Sequence, residues 1–509
     1  MDRSIRRLGG FLMVLFCALF VQLNYIQVFR ADDLNSKTTS QTKIPNDRPI
    51  VAAFARPRGT IATADGVLLA HSVTSDDRFK FRRIYPEAEL YGGLTGYLSY
   101  VRGATGLERA YNEELSGRTA RQQVRSIGDL FVETDRTGNL QLTVRSDVQK
   151  VAREALGDQR GSVVVLDPRS GAVLAMWSNP SFDPNLLATH DLDQAEKAYK
   201  LLDAADGNPM LPKAYQEIYP PGSTFKVVTG ATGVQDGSVT PTEPTYPSIR
   251  ALDVPNTTKD LPNFGGSSCG GNLFRILAKS CNTSFAQMGL DLGGDKMVSG
   301  AEAFGFNQQI PFDLFTATSR FPTDFTRDEP KLAQSAIGQN DVAATPLQMA
   351  LVAAAIANDG EILKPYLVES IRDGEGDSVM KAEPTQWKQA ISPQSAAIMR
   401  DAMREVVTNG SATRIRIDGL DIGAKTGTAQ FGPSAPLRSH AWTIAWAGTP
   451  GQLPSLAVAV IVENQSGANE GTGGRVAAPI AKMVIEAAMK PMPSPPANSS
   501  TTTVPGAGD

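Results

Sequence analysis

Ser223 and Lys226 stand three residues apart behind Pro220-Pro221-Gly222, a spacing that puts an amine and a hydroxyl on one face of a helix. Pro and Gly end whatever precedes them, so the run Ser223-Thr224-Phe225-Lys226-Val227-Val228 is expected to open a helix with Ser223 at its N-terminus, beside unsatisfied backbone N–H groups. A serine hydroxyl is a poor nucleophile at its own pKa. A lysine held out of water near another cation loses enough charge to take the hydroxyl proton. The pair therefore has the makings of covalent catalysis without a histidine. The spacing alone is weak, because an N-capping serine followed by a solvated first-turn lysine gives the same pattern.

Two further triplets alter that balance. Ser280-Cys281-Asn282 follows the apolar helical stretch Leu273 to Ala278 and precedes another, a break between helices where Ser280 and Asn282 can face a cleft. Lys425-Thr426-Gly427-Thr428-Ala429 follows a turn and leads toward strand-like residues. Gly427 suits close backbone approach, as a substrate lying along a sheet edge would require. Each triplet alone reads as loop or turn, but the ordered set Ser-x-x-Lys, Ser-x-Asn, Lys-Thr-Gly is far harder to reach by chance. Gly266-Ser267-Ser268-Cys269-Gly270 also fits a nucleophile elbow, yet it lies in a Gly-rich loop with no strong strand before it. His440 is expected as a strand or cleft-wall residue, and Trp442 and Trp446 as packing aromatics.

The elements that would position these groups show as periodic patterns. Leu140 to Val144 alternates like a strand and Asp147 to Leu156 follows with helical spacing. Gly161 to Leu166 and Ala172 to Met176 flank a Pro/Gly turn as an antiparallel hairpin. Helical patterns dominate Phe225 to Ala357, with a Gly/Asn/Ser-rich loop at Asn263 to Asn272. Strand patterns return at Ile444 to Ala447 and Leu456 to Val462, and Ala477 to Met489 closes as an apolar helix. That order predicts an α+β fold, an antiparallel sheet flanked by helices. Residues 31–139 are charge-rich with a hairpin around Asp65-Gly66, and read as a small mixed α/β N-terminal module with short strands. The expected divisions are 1–30, a basic stub and transmembrane anchor; 31–139, the module; 140–490, the catalytic domain; and 491–509, a Pro/Ser/Thr/Gly tail without order.

A chain of 509 residues with 41% hydrophobic and 20% charged side chains supports at least two folded units. Its net charge of −4 and scattered basic residues leave no footprint for nucleic acid. Arg3, Arg6 and Arg7 precede an apolar run from Leu8 to about Phe29, the length of one bilayer span. The positive-inside rule puts the N-terminus in the cytoplasm and the remainder outside the cell membrane. A cleaved signal peptide competes with an anchor, but Phe29-Arg30-Ala31-Asp32 offers no small-x-small site. Cys269 and Cys281 are the only cysteines apart from Cys17 in the membrane run, and are expected to pair as a disulfide, with two buried free thiols as the alternative. His71, His190 and His440 lie far apart without ligand spacing, so no metal and no cofactor is expected.

The ordered triplets are the set that marks penicillin-binding proteins and class A β-lactamases. The rest of the chain resembles the class B, monofunctional penicillin-binding proteins of the actinobacterial PbpA type. Arg58-Gly59-Thr60-Ile61 and Gly106-Leu107-Glu108 resemble that family's N-terminal motifs. Ile337-Gly338-Gln339, Thr345-Pro346-Leu347-Gln348-Met349-Ala350 and Ala357-Asn358 resemble the helical region behind its serine. Gly473-Gly474 and Ala477-Ala478-Pro479 resemble the start of its last helix. Asn340, where many relatives have Gly, and Ala62-Thr63-Ala64, where Asp-Arg is commoner, depart from the pattern.

The resemblance implies a penicillin-binding transpeptidase fold and a D,D-transpeptidase that cross-links peptidoglycan stem peptides and is acylated by β-lactam antibiotics. It implies Ser223 as nucleophile, Lys226 as general base and Ser280 as proton relay toward the leaving amine near Lys425. Backbone N–H groups of Ser223 and Thr428 would form the oxyanion hole, Asn282 would hold the donor peptide, and Lys425, Thr426 and Thr428 would hold its carboxylate, with Gly427 among the substrate-binding residues. It also implies a separate polytopic glycan polymerase of the SEDS type as partner, meeting the Gln22, Asn24 and Gln27 side of the anchor. A β-lactamase or carboxypeptidase would need a carboxylate to activate water, and the stretch after Asn282 offers no clear Glu-x-x-x-Asn element. A penicillin-binding sensor would need a signalling domain, for which the piece before Leu8 is too short. A glycosyltransferase function in the same chain finds no acidic catalytic pattern in 31–139.

Overall fold

Gly161–Leu166 is buried at every position, which a strand achieves when both faces of its sheet are covered. The structure, a computed structural model, describes residues 2–30, 51, 54–119, 137–431, 438–465 and 471–494. In chain order the strands of its two main sheets are β1 (Ile61–Ala62), β2 (Leu68–Thr74), β3 (Phe81–Ile84), β4 (Asn139–Leu142), β5 (Gly161–Leu166), β6 (Val173–Asn179), β7 (Val368–Arg372), β8 (Ser378–Lys381), β9 (Asp421–Phe431), β10 (Arg438–Gly448) and β11 (Leu456–Gln465). The helices that matter here are α1 (Asp2–Asn24), α2 (Ser146–Leu156), α3 (Lys226–Asp236), α4 (Leu273–Lys279), α5 (Asn282–Leu292), α6 (Pro346–Ala357), α7 (Pro393–Thr408) and α8 (Ala477–Ala488).

The catalytic sheet is antiparallel throughout, in the order β9-β10-β11-β5-β6. Helix α6 packs on β5, β10 and β11, while α2 and α8 pack on each other and on the same sheet. All residues of α6 are buried, as expected of a helix apolar all round. It starts at a Thr345 cap that accepts from Gln348 N, with Pro346 in the first turn. This is the α+β arrangement expected from the sequence. One strand was not foreseen: the Lys-Thr-Gly triplet lies within the eleven-residue β9, at the edge of the sheet, rather than in a turn ahead of a strand.

The second sheet runs β8-β7-β4-β1-β2-β3. The hairpin expected around Asp65-Gly66 is the β1–β2 pair, and Gly66 has φ 83°. Strand β4 lies parallel to β1 and antiparallel to β7, so strands from before and after residue 140 share one sheet. Asp65 Oδ1 accepts from Ser146 N at 3.0 Å, fastening the hairpin to the start of α2. Within the module the two family motifs meet: Arg58 Nε and Arg83 Nε each lie 2.6 Å from a carboxylate oxygen of Glu108, whose side chain is fully buried. Against the upward push of burial, Arg83 and Arg58 hold Glu108 below the usual carboxylate range.

At the N-terminus the helical segment Ile5–Phe29 is long and apolar enough to cross a membrane, and it is exposed along its length. Its last turn, Tyr25–Phe29, is π-helical. The tail expected to lack order falls from residue 495 onward outside the described residues.

Candidate active site

Gly222–Thr224 forms a single 3-10 turn that runs into α3, so Ser223 sits on that turn and Lys226 is the first α-helical residue. The turn is fixed from several sides. Thr224 Oγ1 donates to Pro221 O at 2.7 Å, Trp442 Nε1 donates to Pro220 O at 3.0 Å, and Gly222 N donates to Gly338 O at 2.9 Å. The Phe225 ring stacks on Phe321 at 5.2 Å and meets Phe306 edge-on at 5.3 Å. Gly338 has φ 74°, and a Cβ there would overlap the Gly222 carbonyl, so a larger residue would displace the turn. The neighbouring departure from the family pattern, Asn340, is exposed with φ 61°. Asn tolerates that left-handed conformation where relatives use Gly.

The break between α4 and α5 is made by Ser280 itself, a non-glycine residue at φ 59° that caps α4. This turns its carbonyl and its hydroxyl to the two lysines. Lys226 Nζ lies 2.8 Å from Ser280 O, 3.3 Å from Ser280 Oγ and 2.7 Å from Asn282 Oδ1. Lys425 Nζ lies 2.9 Å from the same Ser280 Oγ and 2.8 Å from Thr426 O. Both lysines are fully buried. Burial, with Lys425 adding like charge, holds Lys226 well below the ordinary lysine range, and burial brings Lys425 down to about 7.

Ser223, Lys226, Ser280, Asn282 and Lys425–Thr428 thus converge on one site at the edge of β9. Some details differ from expectation. No hydrogen bond joins Lys226 Nζ to Ser223 Oγ among the described residues; the amine is held by Ser280 and Asn282. Asn282 is occupied at both ends, its Nδ2 donating to Pro262 O at 3.0 Å. The close approach at Gly427 is to protein: a Cβ there would lie 2.9 Å from Pro221 O and 3.1 Å from Thr224 Cγ2. Cys269 and Cys281 are joined in a disulfide with Cα atoms 5.4 Å apart, which ties the short strand Cys269–Gly271 to the residue between Ser280 and Asn282. Ser268, centre of the elbow-like sequence, is exposed beside that bridge.

Three contacts were missed from the sequence. Ser411 Oγ shares a hydrogen bond with Thr426 Oγ1 at 2.5 Å. Behind the Gly222–Thr224 turn, Glu463 Oε1 accepts from Tyr219 OH at 2.7 Å and pairs with Lys213 Nζ at 2.8 Å. His440 stands on β10 with its ring 5.3 Å from Tyr219, and burial brings it down to about 4, so it is a neutral wall residue at physiological pH. Trp442 and Trp446 are fully buried in the core.

A buried lysine pair sharing one serine hydroxyl, beside a serine on a helix-leading turn at a sheet edge, is the chemistry of an active-site-serine acyltransferase. The sequence profile of the penicillin-binding protein transpeptidase domain matches residues 161–486, and that of the penicillin-binding protein A dimerisation domain matches 58–140. The chain belongs to the class B penicillin-binding proteins of the PbpA type. It is similar to the peptidoglycan D,D-transpeptidase PbpA of Mycolicibacterium smegmatis, with 42% identity over 96% of this chain and 99% of that one. The PbpA of Mycobacterium tuberculosis is 39% identical over 97% of this chain and 100% of its own. The solved structure of M. tuberculosis penicillin-binding protein A as a penicillin G acyl-enzyme superposes with a TM-score of 0.79 at 38% identity, covering 86% of this chain and 100% of that chain.

Proposed function

We propose that this chain is a peptidoglycan D,D-transpeptidase in which Ser223 is the nucleophile and Lys226 its general base. The Lys226 amine carries this reading. Once neutral, it has two N–H bonds and one lone pair; Ser280 O and Asn282 Oδ1 accept the N–H bonds, and the lone pair is left for a hydroxyl proton. Ser223 Oγ attacks the carbonyl between the two terminal D-alanines of a donor stem peptide. The C–N bond breaks, an ester forms on Ser223, and the departing amine gains a proton through Ser280, whose hydroxyl Lys425 also holds. The amine of a second stem peptide then attacks the ester, forming the cross-link and returning the proton to Ser223. Backbone N–H groups of Ser223 and Thr428 stabilise the developing oxyanion. Lys425, Thr426, Gly427 and Thr428 form the cradle for the donor carboxylate, with Ser411 orienting Thr426. Asn282 serves both the donor peptide and Lys226. β-Lactams enter by the same route and leave an ester on Ser223.

The test is the purified chain incubated with labelled penicillin and with a donor–acceptor peptide pair. Wild type should give both a covalent label and a cross-linked product, and Ser223→Ala should give neither; product from that variant would dismiss the assignment.

The protein is single-pass in the membrane, and Arg3, Arg6 and Arg7 support an N-terminus on the cytoplasmic side with the catalytic domain outside. Protease added to intact cells should cleave the catalytic domain and spare an N-terminal tag; the reverse would invert the topology. The divisions 1–30, 31–139, 140–490 and 491–509 are our assignment of anchor, module, transpeptidase domain and tail. For the partner, Gln22 and Gln27 are exposed on the anchor, and polar side chains in a span favour contact with another membrane protein. A polytopic glycan polymerase of the SEDS type fits that role. Photo-crosslinking from Gln22 that captures only lipid would argue against it.

A further inference from the structure

The N-terminal module holds a cavity of about 350 Å³ whose lining includes Arg56, Arg58, Arg83 and Arg118, together with Ser72 and Asn112. Among the described residues no Asp or Glu lines it. Glu108 is shared by Arg58 and Arg83. Four guanidiniums therefore line a cavity to which, among the described residues, no carboxylate contributes. Two of them, Arg58 and Arg83, are nearly inaccessible, with side chains 8% and 1% exposed. Buried charge of one sign is retained when something of the other sign meets it. Arg83 keeps one donor in reserve: its Nη2 is buried and finds no hydrogen-bond partner. Arg56 and Arg118 are exposed at the cavity. Arg118 Nε donates to Ser116 Oγ at 2.8 Å, and Ser116 is also in the lining.

We propose that this cavity is a binding site for a phosphate-bearing ligand of headgroup size. Guanidinium forks match the oxygens of phosphate, and a group with close to two negative charges suits a cavity lined by four arginines better than a single carboxylate does. The volume exceeds what a bare phosphate needs and falls in the range of small-molecule sites. Phe54 and Phe81 line the same cavity, and a second cavity of about 450 Å³ shares Phe54, Leu98 and Asn112 with it, giving apolar room for the remainder of the ligand. Among the described residues, none that lines either cavity belongs to the Ser223 cleft, so the site is open to change apart from transpeptidation.

The experiment titrates sodium pyrophosphate into the full-length chain in neutral detergent by calorimetry. Wild type should show saturable binding that weakens as salt rises. The Arg56→Gln/Arg118→Gln double variant, which changes two exposed side chains, should lose affinity by about tenfold or more, while penicillin acylation of Ser223 stays at the wild-type rate. Arg83→Gln should remove binding; if that variant does not fold, the double variant carries the test. A second arm compares the chain in phosphatidylcholine discs with discs containing phosphatidylglycerol. Weaker pyrophosphate binding in the anionic discs, seen in wild type but not in the double variant, identifies a lipid headgroup as the source. Equal binding in the two discs identifies a soluble phosphate. Absence of saturable binding below ~10 mM, or equal affinity in wild type and double variant, overturns the site.

Discussion

Lys226 and Lys425 hold the same hydroxyl: their amines lie 3.3 and 2.9 Å from Ser280 Oγ. Two ammonium groups so placed in a buried site repel each other, and burial already disfavours both charges. The pair is therefore a coupled system whose protons are shared through a serine, and its titration belongs to the cluster rather than to either lysine.

The pH dependence follows. Burial draws both lysines below the ordinary lysine range, Lys425 to about 7, so acylation should rise as the cluster yields a neutral amine and fall as it loses its remaining positive charge. The profile of second-order penicillin acylation should be bell-shaped, and Lys425→Arg should remove its falling limb. A rate that climbs steadily to pH ~10 would rule out a perturbed Lys226. Stability carries the same signature. Lys425 has a folded value of about 7 against 10.5 when unfolded, so between those limits the unfolded chain binds more protons and stability rises with pH; below about 7 the penalty of charging it is fully present. Urea midpoints measured across that window should increase, more steeply in wild type than in Lys425→Met.

Ser223→Ala should abolish covalent labelling with an unchanged melting temperature, since one half-buried hydroxyl is removed. Lys226→Ala should slow acylation by about a thousandfold or more, because members of one catalytic unit show non-additive losses. Intact-mass spectrometry after exposure to penicillin measures both. A Lys226→Ala enzyme that acylates at the wild-type rate would move the base elsewhere.

The Cys269–Cys281 bridge closes a short loop, with a sequence separation of 12, and such closure is worth about 3 kcal/mol. Cys269→Ser/Cys281→Ser should lose roughly that stability in denaturant unfolding. It should also slow acylation, because Cys281 lies between Ser280 and Asn282. Unchanged acylation in a folded variant would show that the bridge braces the loop but not the catalytic groups.

The penicilloyl ester should be long-lived. The hydrogen bonds of Lys226, Ser280, Asn282 and Lys425 described above run to one another and to backbone carbonyls, with no carboxylate among them. Deacylation needs a water that some group activates. Mass spectrometry following removal of free drug should find a single adduct persisting for hours; turnover within seconds would assign the chain to the hydrolases.

Glu108→Gln should destabilise the protein by about 3–5 kcal/mol, since it strands Arg58 and Arg83 in the interior. The loss should appear as a lower thermal midpoint for the entire folded chain beyond the apolar N-terminal helix. A change confined to a minor early transition would mean the module melts on its own.

Much of this was readable from residue order. Gly161–Leu166 is legible to the residue because the β-branched run Val163–Val165 leads through Leu166 into a Pro/Gly turn. Strand β9 is not, because Gly-Ala-Lys-Thr-Gly-Thr lacks apolar alternation, and its lysine is buried only by virtue of the cluster it joins. Ser411 lies 15 residues from Thr426 and Lys213 lies 250 from Glu463; pairings at such distances leave no periodic trace. The recruitment of β7 and β8 beside β4 is equally non-local.

Strand β4 is the interior of a sheet, flanked by β1 on one side and β7 on the other. A recombinant fragment started at Leu140 would lack β1, and would expose the unpaired backbone of β4 as a raw edge on which other copies can polymerise. A shortened form of the chain should therefore begin upstream of Arg58, so that β1 remains paired with β4.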